Sequence, residues 1–142
     1  WGFGTLGYAL PAAIGAKAAK PETPVVAIMG DGGFMFNSQE LITAVQYDLP
    51  IICVIFNDNA YGVLKYQQKS LFNKTIAVDL KNPDFIKMGK SFGIHSEKVE
   101  TFEKLETSLS KAIDMNTTCL IEVTEPVPWP VMHPTPLPSE IN

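Results

Sequence analysis

The chain has 142 residues, enough for one domain with a buried core and too few for two independent ones. Acidic residues outnumber basic ones 15 to 11, every basic residue is a lysine, and the formal charge of -4 argues against a dedicated nucleic-acid or anionic-membrane binder. No apolar run approaches the roughly 18 residues needed to cross a bilayer, and the opening WGFGTLG lacks the positive n-region of a signal peptide, so a cytoplasmic domain is expected. Cys53 and Cys119 lie in the apolar runs IICVIF and CLIEV without CxxC spacing, which makes them small core residues rather than a disulfide or metal pair. The chain starts on tryptophan and enters a glycine-rich turn at once, which points to a piece of something longer.

Taken in order, LPAAIGAKAAK predicts a short buried helix over 11–20, with Pro11 in the first turn where its missing amide proton costs nothing. Val25–Met29 is a continuous apolar run that predicts a strand covered on both faces, ending at Gly30-Asp31-Gly32-Gly33. Asn37 and Glu40 have capping-box spacing for a helix to about Asp48, with Leu41, Ile42, Ala44 and Val45 as its buried stripe. Ile51–Phe56 predicts a second strand, closed by Asn57-Asp58-Asn59-Ala60. A short helix is expected over 61–68 and a loop with a short ordered part over 69–80. A helix over 83–93, a brief strand over 94–99, a helix capped by Thr101 with Phe102, Leu105, Leu109, Ala112 and Ile113 on its apolar face, and a strand over 119–123 complete the pattern. Alternating two-sided strands and helices describe an α/β domain, three-layered, with a mostly parallel central sheet. Residues 1–125 form this domain, and the proline-rich 126–142 reads as an arm laid over a neighbouring surface.

In such sheets ligands sit beyond the carboxyl ends of strands, and GDGG and NDNA both fall there. GDGG offers a sharp turn, backbone amides and one carboxylate, able to cradle a phosphate if a divalent cation stands between the two anions. Asp58 through its side chain and Ala60 through its carbonyl add oxygen donors. Neither a GxGxxG fingerprint nor a GK[ST] ending is present, and a plain tight turn whose aspartate caps the next helix remains open at this point.

The sequence GDGGFMFNSQELITAVQYDLPIICVIFND followed by NAYG resembles the signature of thiamine diphosphate-dependent enzymes: GDG, an interval, then an NN-like pair. GTLGYALPAAIGAKAA resembles their GxxGxxLPAAIGA segment, in the branch of acetolactate synthase, pyruvate oxidase and benzoylformate decarboxylase. The likeness is dense over residues 2–68 and looser to LIEV. It implies the diphosphate-binding domain, with thiamine diphosphate and Mg²⁺ as cofactors. The metal would be held by Asp31, Asp58 and the carbonyl of Ala60, and the diphosphate contacted by Gly30, Gly32, Gly33, Asn59, Tyr61 and Gly62. In the opening segment Gly4 would accept from the pyrimidine amino group, Thr5 would line the same turn, and Leu6 would prop the cofactor into its bent V. Gly33 departs from the usual serine and Asp58 from the usual asparagine; aspartate still presents an oxygen.

The implied reaction is ylid attack on a 2-oxoacid and decarboxylation, then protonation, oxidation or ligation, as in an acetolactate synthase-like carboligase or a 2-oxoacid decarboxylase. The branch implies a catalytic glutamate from a pyrimidine-binding domain of the same or another chain in a homo- or hetero-oligomer. Neither Glu40 nor Glu122 matches it, so the chain resembles half of an active site and is expected to be inactive or nearly so by itself. FAD elsewhere in the complete enzyme stays open. Tyr8, Phe34, Phe36 and Tyr47 are expected to pack, His95 and His133 to serve structural or surface roles, and Gln67, Gln68, Lys65 and Lys69 to lie beside the substrate channel or on a solvated surface. Two alternatives stand: the small subunit of a 2-oxoacid:ferredoxin oxidoreductase, disfavoured by LPAAIGAKAA and by only two isolated cysteines, and a non-catalytic cofactor-binding or regulatory domain.

Overall fold

The computed structural model describes residues 4–126. The proline-rich arm, with His133, lies outside the described residues apart from its first proline. Helix α1 (Ala9–Ala19) precedes strand β1 (Val26–Gly30), after which come a one-turn helix α2 (Asp31–Phe34), a 3-10 turn at Ser38–Glu40 and α3 (Leu41–Gln46). Strand β2 (Ile52–Phe56) leads to α4 (Gly62–Phe72) and α5 (Phe85–Ser91), then β3 (His95–Val99), α6 (Phe102–Met115) and β4 (Cys119–Val123).

The four strands form one all-parallel sheet in the order β1-β2-β4-β3. That order explains the layers. The chain steps outward from β1 to β2 to β3 and then back to β4, and right-handed crossovers place the helices of opposite steps on opposite faces. Leu10, Ala13, Ile14, Phe34, Leu41, Ala44 and Phe85 from the helices accordingly join Ala27, Cys53, Ile55 and Leu120 on one face. On the other, Ile52, Val54, Cys119, Ile121, Val123 and Val99 meet Ala112, Leu105 and Leu109 of α6.

Because α6 covers only the β2-β4-β3 side, β1 is bare on that face: Val26 is 39 % and Ile28 65 % exposed. This corrects the expectation of a first strand covered on both faces; an unbroken apolar run does not reveal that the strand ends up at an edge. The central strands β2 and β4 do bury both faces.

Several local expectations change for the same kind of reason. Asn37 makes no cap; its Nδ2 donates to the carbonyl of Gly7 at 3.0 Å, and Glu40 accepts from the Thr43 hydroxyl at 2.8 Å. The expected helix over 37–48 is therefore a 3-10 turn followed by α3, in which Leu41 and Ala44 are buried while Ile42 is exposed. The helix expected over 61–68 runs on to Phe72. Asp84 caps α5 by accepting from the Lys87 amide at 2.9 Å, a bond that holds its carboxyl below the ordinary value. Thr101 caps α6 as expected, its Oγ1 accepting from the Lys104 amide at 3.2 Å. Phe102 and Ile113, assigned to the apolar face of α6, are exposed, as are Tyr8, Phe36 and Tyr47, which were expected to pack.

Both cysteines are fully buried and unpaired, on opposite faces of the sheet. Burial pushes the Cys53 thiol up to about 12 and raises Cys119 as well. Native protein at pH 8 is expected to leave both thiols unreacted with a colorimetric disulfide reagent and to release two equivalents on denaturation; rapid labelling of the native chain would contradict this burial.

Candidate functional site

The ends of the adjacent strands β1 and β2 converge, in register from Val26↔Ile52 to Gly30↔Phe56. Asp31, the first residue of α2, therefore lies beside the segment 57–60. Asp31 is 1 % exposed. Its Oδ2 accepts from Asn82 Nδ2 at 2.6 Å. Asp58 is exposed, yet partial desolvation and then the Asp31 carboxylate raise its pKa, while the Ala60 amide, donating to Asp58 Oδ1 at 3.1 Å, opposes the rise. A carboxylate close enough to disfavour the charge on Asp58 marks a place where a cation is electrostatically favoured.

The loop that carries Asp58 has defined geometry. Asn59 adopts φ +55°, a left-handed conformation that asparagine tolerates better than most residues. Its carbonyl accepts from the Leu80 amide at 2.7 Å, the Tyr61 amide donates to the Val78 carbonyl at 2.8 Å, and Ala60 pairs with Asp79 in an antiparallel bridge. Val78 through Leu80, within the stretch read as mostly loop, thus form a short ordered brace for NDNA. Tyr61 and Leu80 also touch the first loop: a Cβ placed on Gly32 would lie 2.6 Å from Tyr61 Cε1 and 3.2 Å from Leu80 Cδ1. Gly32→Ala is accordingly expected to cost about 1–3 kcal/mol, because the Tyr61 ring and the Leu80 methyl must both give way. Denaturant midpoints would show it, and shortening the neighbour with Tyr61→Leu should return part of the loss. A Cβ on Gly33 meets only Leu6 Cδ2, at 3.9 Å, so the position has room for a side chain.

Leu6 is brought over this loop from the opening turn, where Gly4, Thr5 and Gly7 take φ of +72°, +41° and +87°. Gly7 is required sterically as well, since a Cβ there would lie 2.7 Å from Phe36 Cβ and 2.8 Å from Asn37 Nδ2. Gly4, Thr5 and Leu6 are all exposed. Gly30, Asp31, Gly32, Gly33, Asp58, Asn59, Ala60, Tyr61, Gly62 and Leu6 therefore border one region at the carboxyl end of the sheet. The donors Asp31, Asp58 and the Ala60 carbonyl are all oxygen, the chemistry of a hard divalent cation such as Mg²⁺. Among the described residues no group of three or more His, Cys, Asp or Glu side chains forms a metal cage, so a cation here would need further ligands from outside the protein's side chains.

Other candidates stand elsewhere. His95 opens β3 at the amino end of the sheet, 3.7 Å from Glu97 Oε1. Lys65 pairs with Asp79 at 2.6 Å. Gln68 staples the chain around Ile76, accepting from its amide at 2.7 Å and donating to its carbonyl at 3.3 Å.

Three residues that brace the site were not assigned to it from the sequence. Asn57 Nδ2 donates to Glu122 Oε1 at 2.7 Å, and Asn57 Oδ1 accepts from Asn82 Nδ2 at 2.9 Å and from the Asn59 amide at 3.1 Å. The signal for Glu122 was present as a charge inside the apolar run CLIEV, which a buried strand tolerates only with a partner. Asn82 carried none beyond standing before Pro83.

Residues 1–123 match the family model described as thiamine pyrophosphate enzyme, C-terminal TPP binding domain; thiamine pyrophosphate is thiamine diphosphate. The chain is 41 % identical to the acetolactate synthase of Bacillus subtilis over 86 % of its own length. It is 35 % identical to the acetolactate synthase isozyme 2 large subunit of Escherichia coli over 99 %. Among solved structures, the thiamine diphosphate-dependent 4-hydroxybenzoylformate decarboxylase of Rhodococcus jostii superposes with a TM-score of 0.78 over 84 % of this chain at 33 % identity. The chain covers 21 %, 26 % and 23 % of these three proteins respectively.

Proposed function

The chain belongs to the family of C-terminal thiamine diphosphate-binding domains of thiamine diphosphate-dependent enzymes, and from that membership we propose that it holds the Mg²⁺–diphosphate end of the cofactor in a 2-oxoacid-utilising enzyme. The observation that carries this reading is the convergence of Asp31 and Asp58 at the ends of two adjacent parallel strands, where burial and Asp31 together raise the Asp58 pKa. Asp31, Asp58 and the Ala60 carbonyl would hold the cation. Backbone groups of Gly30, Gly32 and Gly33, and of the Asn59–Gly62 segment, border the same region and would meet the diphosphate. Gly4, Thr5 and Leu6 would face the organic end, Leu6 supplying an exposed apolar surface beside Gly33. When bound, thiamine diphosphate would supply the carbon nucleophile and the electron sink for 2-oxoacid decarboxylation.

The chain's own residues would bind and orient the cofactor, while proton exchange with its ring would fall to another domain. Glu40 accepts from Thr43 and Glu122 from Asn57, so the two glutamates weighed from the sequence are committed to local hydrogen bonds. A glutamate from a pyrimidine-binding domain, in the same polypeptide or a partner subunit, would complete the site. Two features support such a neighbour. The chain covers about a quarter or less of the related proteins compared, and α4 buries no residue while exposing Val63, Leu64, Leu71 and Phe72. Carboligation of the acetolactate synthase type is favoured over simple decarboxylation by the names of the relatives.

The test is calorimetric titration of thiamine diphosphate into the intact polypeptide that carries this domain, with and without Mg²⁺. Saturable binding that needs the metal, with 2-oxoacid turnover, supports the reading. Binding indifferent to Mg²⁺ would remove the metal assignment, and metal-dependent binding without turnover would favour a non-catalytic domain.

A further inference from the structure

Glu122 is 7 % exposed and sits on β4, two strands across the sheet from β1 and its GDGG loop, yet it joins that loop through two amides. Glu122 Oε1 accepts from Asn57 Nδ2, Asn57 Oδ1 accepts from Asn82 Nδ2, and Asn82 Nδ2 donates to Asp31 Oδ2, at 2.7, 2.9 and 2.6 Å. Both ends of this chain are carboxylates, which as ions only accept. The orientation of each amide is therefore forced: nitrogen must face Glu122, and the Asn57 oxygen must face the Asn82 nitrogen and the Asn59 amide. The reverse setting of Asn57 would oppose donor to donor at two places and acceptor to acceptor at one.

We propose that Glu122 and Asn82 are positioning residues for the cation site: Glu122 fixes the Asn57 amide, Asn57 fixes Asn82, and Asn82 holds one oxygen of Asp31 so that the other is presented to the metal. The inference rests on Asp31 being a cation ligand, and it adds the residues that aim it. The linkage also couples the two loops, since the Asn57 oxygen that receives Asn82 receives the Asn59 amide as well, setting the start of the segment that carries Asp58 and Ala60. A neutral donor from Asn82 lowers the cost of burying Asp31 without competing with the cation as a lysine would.

Mn²⁺ is the probe, its binding to the intact polypeptide in the presence of thiamine diphosphate followed by electron paramagnetic resonance. Asn82→Ala and Glu122→Ala are each expected to raise the Mn²⁺ dissociation constant about ten- to a hundred-fold. Glu122→Gln, which keeps an oxygen facing Asn57, should stay near the parent, whereas Glu122→Met, of similar bulk but without a strong acceptor, should behave as the alanine variant. Parent-like Mn²⁺ affinity in Asn82→Ala, or in a folded Glu122→Met, would overturn the proposal provided Asp31→Ala loses the metal. If Asp31→Ala also binds like the parent, the cation reading itself fails, and the proposal with it. Circular dichroism verifies folding, and Asn82, half-buried in a loop, carries the test should the Glu122 variants not fold.

Discussion

Asp31→Ala is expected to weaken Mg²⁺-dependent binding of thiamine diphosphate by at least about a hundred-fold, beyond the range typical of losing an outer-shell partner. Asp31 supplies the buried half of the charge pair that favours a cation, and it does so from a strand end aligned by five consecutive pairs of β1 with β2. Alanine also leaves Asn82 Nδ2 without its shortest partner, although Asn57 Oδ1 still receives it. The free domain should nevertheless remain folded, because removing one of two repelling carboxylates relieves part of the cost of holding them together. Titration calorimetry of the intact polypeptide and a denaturant melt separate the two effects: a large loss of affinity with little loss of stability is expected. Unchanged cofactor affinity would remove Asp31 from the metal site.

Phe34→Ala is expected to cost about 3–5 kcal/mol of stability, more than the overlap introduced by Gly32→Ala. Phe34 is 1 % exposed and meets Phe85 edge to face, with centroids 5.5 Å apart and rings at 79°. It ends the one-turn helix that begins at Asp31, so this contact ties the candidate metal loop to α5 and to the core. The alanine variant should therefore bind cofactor more weakly as well as melt earlier. Phe36→Ala, two residues on, provides the contrast: its side chain is 53 % exposed, and removal should change the unfolding free energy by no more than about 0.5 kcal/mol. Equal losses at the two positions would show that the packing around α2 differs from that described.

Much of the candidate site was legible because its chemistry is local in sequence. GDGG and NDNA each carry their oxygen donors within four residues, and each directly follows an apolar run of strand length, so alternation of strands and helices places both at one end of a parallel sheet. Leu6 was legible only through the family resemblance; its contact with the Gly33 position depends on positive φ at Gly4, Thr5 and Gly7 and on the Asn37–Gly7 bond. Asn37 shows the limit of local pattern. Its spacing to Glu40 is that of a capping box, but a carbonyl 30 positions earlier captures the amide, and the helix starts later.

The sequence by itself determined the alternation of strands and helices and the family, since apolar periodicity, strand length and the GDG and NN-like motifs are properties of contiguous residues. Only the tertiary structure decided what lies beside what. That β4 inserts between β2 and β3 brings Glu122 to Asn57, 65 positions apart, and that step back toward β1 sends α6 to the opposite face and leaves Val26 and Ile28 uncovered. The physical reason is common to both: a strand's run of residues specifies that it is a strand, while its neighbours follow from crossover handedness and the burial of the whole sheet, which no short stretch encodes.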